Sequence, residues 1–226
     1  MKTNKNHNMK SIWLSIFILT TISLSAQTGK FPPYYYQKVS LFEQLPDTQN
    51  EIIFLGNSIT DGGEWAEMFA NPHIKNRGIS GDTSEGVLLR LGEVTRSNPA
   101  KVFLLIGIND LSQNIPKDSV FAHICQIAWK TRAASPTTTL YLQSILPINE
   151  SFGRYKKLDG KTAEIIWINA QLETFCQSEG FNFINLFEVM KNKDDQQLNP
   201  ALTNDGLHLN GDGYMVWMNK IRPLVE

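Results

Sequence analysis

The stretch "IIFLGNSITDGG", residues 52–63, decides how the rest of the chain is read. Four apolar residues run into Gly56-Asn57-Ser58, and Thr60-Asp61-Gly62-Gly63 follows at once. A short unbroken apolar run closed by turn residues is the pattern of a strand buried on both faces. Ser58 then stands at a strand-to-helix turn, where the free N–H groups of a helix start lie near its hydroxyl. A cap or turn serine fits this place, and so does a nucleophile. The rest of the chain separates the two.

Working outward, five apolar runs bounded by turn residues read as strands: "EIIFLG" (51–56), "HIKNRG" (73–78, the weakest), "KVFLLIG" (101–107), "TLYLQSIL" (139–146) and "FNFINLF" (181–187). Helical patterns fill the gaps: "GGEWAEMFA", "TSEGVLLRLGEVTR", "KDSVFAHICQIAWKTRAAS" and "GKTAEIIWINAQLETFCQSEG", with "GDGYMVWMNKIRPLV" closing the chain. A short helix is expected near "YYYQKVSLFEQLP", before the first strand. Strands alternating with helices imply βαβ units and a parallel sheet covered on both faces. The expected fold is therefore α/β, a three-layer α/β/α sandwich around a flavodoxin-like five-stranded sheet of order 2-1-3-4-5. In such sheets ligands sit beyond the carboxyl ends of the strands, at the switch point between strands one and three.

The chain has 226 residues, 42% of them hydrophobic and 19% charged, which suits a single globular domain. Its formal net charge of −1 and the lack of a Lys/Arg-rich run argue against a nucleic-acid partner. The first segment reads as a leader. Lys2, Lys5 and Lys10 precede the apolar "SIWLSIFILTTISL", and "SAQ" offers a small-residue cleavage site after Ala26. The expected layout is a signal peptide at 1–26 and one domain at 27–226, periplasmic or secreted, with no membrane anchor after cleavage. An uncleaved anchor is the alternative, and Met9 is a second candidate start. Removal of residues 1–26 leaves 18 basic against 22 acidic residues. Cys125 and Cys176 both fall in amphipathic helical patterns and are expected as buried free thiols, although export leaves a bridge chemically open. Without Cys clusters, with scattered His, and with no G-x-G-x-x-G after a strand, neither a metal nor a dinucleotide cofactor is expected.

The polar residues that follow the strands are the ones to weigh. After strand one comes Ser58. After strand two comes "NRGISGDTSEG", whose Gly78 and Gly81 let backbone approach a ligand closely. After strand three comes "GINDL", where the Asn109 amide is a donor for an anionic oxygen. Near the C-terminus, "NDGLHLNGDGY" places Asp205 three residues before His208, about one turn apart. An Asp bonded to a His Nδ1–H orients the ring and stabilises its protonated form. The chain thus offers a serine, a base with its orienter and three candidate oxyanion donors, and acyl transfer needs a nucleophile–base hydrogen bond with donors near the developing oxyanion.

These blocks together resemble the SGNH, or GDSL-like, serine hydrolase superfamily. "FLGNSITDG" resembles its first block, "NRGISGDTS" the second, "LLIGIND" the third and "DGLHLNGDGY" the last, covering residues 50 to 222. "QSILPIN" (143–149) resembles a stretch of the acetylhydrolase-like branch. The resemblance implies Ser58 as nucleophile, Asp205 and His208 as its partners, and Ser58, Gly81 and Asn109 as oxyanion donors. It implies an esterase acting on small-molecule or glycan esters, with lysophospholipase, thioesterase and inactive glycan-binding readings still open. Many members carry Asp before the nucleophile; here Asn57 removes that charge. The α/β-hydrolase alternative needs G-x-S-x-G, and Thr60 stands in the second glycine's place.

Other residues take plainer expectations. Asp82 is expected to cap the helix after "GISG", Arg90 to form a salt bridge on a helix, and His73 and His123 to be structural. "FPPYYY" (31–36) is expected to pack an N-terminal arm on the domain, with sugar stacking as the alternative. The loop "NESFGRYKKLDG" (149–160) follows the fourth strand and is expected to border the site, with Tyr155 and Lys156 as contact candidates.

Overall fold

The computed structural model describes residues 29–226; the expected leader at 1–26 lies outside them. In chain order the elements are α1 (Pro33–Gln44), β1 (Ile52–Gly56), α2 (Ser58–Asp61), α3 (Trp65–Met68), β2 (Ile74–Gly78), α4 (Ser84–Leu89), α5 (Leu91–Thr95), β3 (Lys101–Leu105), α6 (Ile108–Ser112), α7 (Lys117–Ala134), β4 (Thr139–Gln143), α8 (Thr162–Glu179), β5 (Asn182–Ile184), α9 (Phe187–Met190) and α10 (Gly211–Val225). The sheet is wholly parallel in the order β2-β1-β3-β4-β5, as the strand-helix alternation predicted.

Every residue of β1 is buried, because the strand lies between β2 and β3 with helices over both faces. The register pairs Gly56 with Gly78 on one side and with Leu105 on the other. The carboxyl ends of three neighbouring strands are therefore level, and the segments that leave them emerge side by side. An aromatic ladder crosses the same sheet. Phe54 stacks on Phe103 at 5.1 Å, and Phe103 on Tyr141 at 4.6 Å, each pair being register partners. Trp65 stacks on Phe54 at 4.3 Å and meets Trp217 edge-on, tying α3 and α10 to this ladder.

Two expected helices are shorter than their patterns. "GGEWAEMFA" yields one turn, Trp65–Met68, since the two glycines lead in and the Trp65 ring turns inward to bond the Thr60 carbonyl. "TSEGVLLRLGEVTR" breaks into α4 and α5 at Arg90, whose side chain points into the protein. The aromatic arm packs as expected: Tyr35 and Phe42 form a small cluster with Ile79, and Tyr35 Oη donates to the Gly86 carbonyl. Cys125 on α7 and Cys176 on α8 are both free and buried. Burial pushes both thiols up to about 12. Among the described residues no helix is long and apolar enough to cross a membrane, and no His/Cys/Asp/Glu group is assembled that would hold a metal.

Candidate active site

The level ends of β1, β2 and β3 gather the expected residues into one cleft of about 470 Å³, whose lining includes Ser58, Gly81, Asn109 and His208. At the end of β1 the backbone is crowded: a Cβ on Gly56 would lie 2.3 Å from the Leu105 carbonyl oxygen. Only glycine lets the strand end so close to β3, and the chain then turns directly into α2. Asn57 Oδ1 accepts from the Ile59 N–H at 3.0 Å and caps that turn, while Ser58 remains partly open to the cleft. Asn57 thus supplies locally what an Asp would supply as a cap, without the charge. Gly78 lies equally close to its neighbour, with a Cβ placed 2.1 Å from the Asp61 amide nitrogen, so α2 sits directly on the end of β2.

Ser58 Oγ lies 2.9 Å from His208 Nε2, and His208 Nδ1 lies 2.8 Å from Asp205 Oδ2. The Asp205–His208 segment is not helical. It is a tight loop in which Asp205 Oδ1 accepts from the N–H groups of Leu207 and His208, and an isolated bridge joins Thr203 to Leu209. The spacing that suggested one turn is met instead by a carboxylate that folds its own loop, and α10 starts only at Gly211. Burial works against the charge on Asp205. Hydrogen bonds from His208, from the two N–H groups and from Tyr155 win, holding the carboxyl well below the usual carboxylate range.

Tyr155 does more than border the cleft. Its phenol donates to Asp205 Oδ2 at 2.8 Å, and its oxygen lies 3.0 Å from His208 Nδ1. Burial and the Asp205 carboxylate push this phenol up to about 12, so it stays a donor. The sequence placed Tyr155 on a bordering loop but carried no signal for its bond to the Asp–His pair. Lys156 also lines the cleft.

The N–H groups of Ser58 and Gly81, two residues that line the cleft, donate to no described residue. Gly81 has φ +84°, a left-handed conformation that favours glycine. The Asn109 amide gives one hydrogen to the Asp82 carbonyl at 2.8 Å and keeps a second. It does not cap α6, where the N-cap position belongs to Gly107.

The expectation for Asp82 is corrected. The cap of α4 is Thr83, whose hydroxyl accepts from the Gly86 N–H. Asp82 is instead buried and takes Arg90 Nε on Oδ2 at 2.8 Å. Arg90 forms the expected salt bridge, but inside the protein: its Nη2 donates to the carbonyls of Gly56 and Arg77, so one guanidinium joins the ends of β1 and β2 to the Gly81 loop. Burial pushes the Asp82 carboxyl up to about 6 despite that guanidinium. Behind Asn109, Asp110 accepts from the Ser84 N–H and hydroxyl, and Ser84 Oγ lies 2.9 Å from His123 Nδ1. His123 is thus structural, as is His73, whose Nδ1 meets the Gln49 carbonyl at 3.1 Å.

Comparison with known proteins gives a consistent result. A solved GDSL-like lipase from Bacteroides thetaiotaomicron is 29% identical, with a TM-score of 0.74 over 84% of this chain and 96% of that one. An N-acylneuraminate cytidylyltransferase of Escherichia coli is 27% identical over 84% of this chain and 46% of its own length. The human platelet-activating factor acetylhydrolase IB subunit alpha2 is 24% identical over 54% of this chain and 56% of its own. The chain spans about half the length of these curated relatives. Residues 54–216 match the GDSL-like Lipase/Acylhydrolase family, and with that match running from β1 to α10 the chain belongs to this family.

Proposed function

We propose that the chain is an exported serine esterase that hydrolyses carboxylic esters through an acyl-enzyme, taking short acyl groups such as acetyl from small or carbohydrate alcohols. One observation carries the reading: Ser58 Oγ, His208 and Asp205 stand in a hydrogen-bonded line of 2.9 and 2.8 Å, with Ser58 and His208 lining the cleft. In that arrangement His208 Nε2 takes the proton of Ser58 as Oγ attacks the ester carbonyl. Asp205 holds the ring with Nδ1–H inward and stabilises the imidazolium. The N–H groups of Ser58 and Gly81 and the free hydrogen of Asn109 receive the oxyanion. The protonated His208 gives its proton to the departing alcohol. A water activated by the same nitrogen then attacks the acyl-Ser58 ester and releases the acid.

The cleft wall supports a short acyl group. Its apolar side chains include Leu158 and Leu207, and the other residues that the 149–160 loop contributes are Arg154, Tyr155, Lys156 and Lys157 rather than a long apolar cover. The similarity to an acetylhydrolase subunit points the same way. The export part rests on the pattern of residues 1–26.

The test is hydrolysis of p-nitrophenyl acetate, butyrate and octanoate by the purified protein and by Ser58→Ala. The expected kcat/KM falls from acetate to octanoate, and Ser58→Ala retains less than about 10⁻⁴ of the activity. Equal rates in the variant would remove Ser58 from the chemistry; a preference for octanoate would replace the short-acyl reading.

A further inference from the structure

We infer that the ester taken by this cleft carries a negative charge on its alcohol side, and that Arg154, Lys156 and Lys157 receive it. The inference rests on the esterase reading above and names the substrate class of the same site.

The observation is how one loop sorts its charges. Residues 149–160 carry three cations and two acids, Glu150 and Asp159. All three cations line the cleft that holds Ser58 and His208, and no Asp or Glu lines it. The two acids line a separate, smaller cavity that shares Tyr155 and Leu158 with the cleft as a common wall. The loop therefore turns a positive face toward the reacting serine, in a chain whose formal net charge is −1. Lys156 is partly engaged, 3.4 Å from Asp159 at exposed positions. Arg154 and Lys157 pair with no described acid, and both are exposed.

The loop is also held in place, which keeps its three cation-bearing positions beside the cleft. Leu158 is buried, Tyr155 bonds Asp205, and the Asn149 N–H donates to the Gly206 carbonyl at 2.8 Å. Gly206 admits this contact because a Cβ there would lie 2.4 Å from the Asn149 oxygen. An acetyl group carries no charge, so a substrate charge that meets these cations lies on the alcohol. The matching chemistry is an alcohol bearing a carboxylate, as in a uronic sugar, or a phosphate. Exposed opposite-charge contacts are each worth about two- to fivefold in affinity, so three together give about tenfold at low salt when each acts at the low end of that range, as the partial engagement of Lys156 favours.

The experiment compares O-acetylated methyl glucuronoside, O-acetylated methyl glucoside and acetylated glycerol phosphate, at low and high ionic strength, with wild type and Arg154→Ala/Lys157→Ala. The expected result is an anionic-to-neutral ratio of kcat/KM of about ten at low salt. That ratio falls toward one at high salt and in the variant. The stronger of the two anionic arms identifies carboxylate or phosphate. A ratio of one, or a preference for the neutral sugar, in an enzyme that turns over p-nitrophenyl acetate overturns the charge inference and leaves the esterase reading standing. The Ser58→Ala protein separates the other case: calorimetric binding of the deacetylated glucuronoside against the glucoside reads the charge preference without turnover. No hydrolysis of any ester, with tighter glucuronoside binding, removes the esterase reading and keeps the anionic ligand. Equal binding there overturns the inference as well.

Discussion

Asn109 shows how much one side chain is asked to do. Its amide nitrogen carries two hydrogens; one is spent on the Asp82 carbonyl, which fixes the orientation of the other toward the cleft. Asn109→Ala is expected to lower kcat by about 10²–10³, the usual loss for one oxyanion donor. The lost bond to Asp82 adds only about 1 kcal/mol of destabilisation. Stopped-time assays with a thermal melt check this, and near-full activity in a folded variant would take Asn109 out of the site. Tyr155 is the counterpart that residue type alone does not reveal. A tyrosine on a loop reads as a contact to substrate, whereas its phenol here donates to the carboxylate behind the histidine. Which hydroxyl meets which carboxylate depends on the path of residues 149–160, and nothing in a one-dimensional pattern encodes that path.

Elements bring these residues together because three strand ends are level. Arg90 fastens that edge, spanning the carbonyls of Gly56 and Arg77 and the buried Asp82 carboxylate. Arg90→Met strands a buried carboxylate and is expected to cost about 3–5 kcal/mol, the usual price of breaking a buried pair from one side. Arg90→Met/Asp82→Asn should recover part of that loss. Denaturant melts of the single and double variants check it; a double variant no more stable than the single would show that the carbonyl contacts, not the charge pair, carry the effect. β1 and β3 were legible because each is a short apolar run with turn residues at both ends, and both are buried almost throughout; β2 carries a single large apolar side chain, Ile74, and β5 takes only Asn182–Ile184 of the 181–187 run before α9 begins at Phe187. The break at Arg90 was not, since the helical pattern runs on through it and only the inward turn of one cation ends α4. Asp82 misled for a related reason: an acid before a helix is a good cap by type, but Thr83 is one residue nearer and takes the role. The four blocks that resemble the hydrolase superfamily placed Ser58, Gly81, Asn109, Asp205 and His208 in reach of one another. The loop that folds around Asp205 was expected as a turn of helix and is not one.

At the scale of the whole molecule, the proposed export bears on the two cysteines. An oxidising compartment threatens an exposed thiolate, and neither Cys125 nor Cys176 offers one: both are buried, and burial pushes each thiol up to about 12. The protein recovered outside the cytoplasm is expected to begin at Gln27 and to carry two thiols that titrate only after unfolding. N-terminal sequencing and thiol counting in native and denatured samples check both; retained residues 1–26 would contradict cleavage. The central claim is the acyl-enzyme at Ser58, and the most direct measurement is rapid-quench turnover of p-nitrophenyl acetate followed by peptide mapping. The account predicts a burst of about one p-nitrophenolate per chain, provided deacylation is the slower step, with the trapped acetyl group on Ser58. An acetyl group found on another residue, or an unchanged burst in Ser58→Ala, would contradict it.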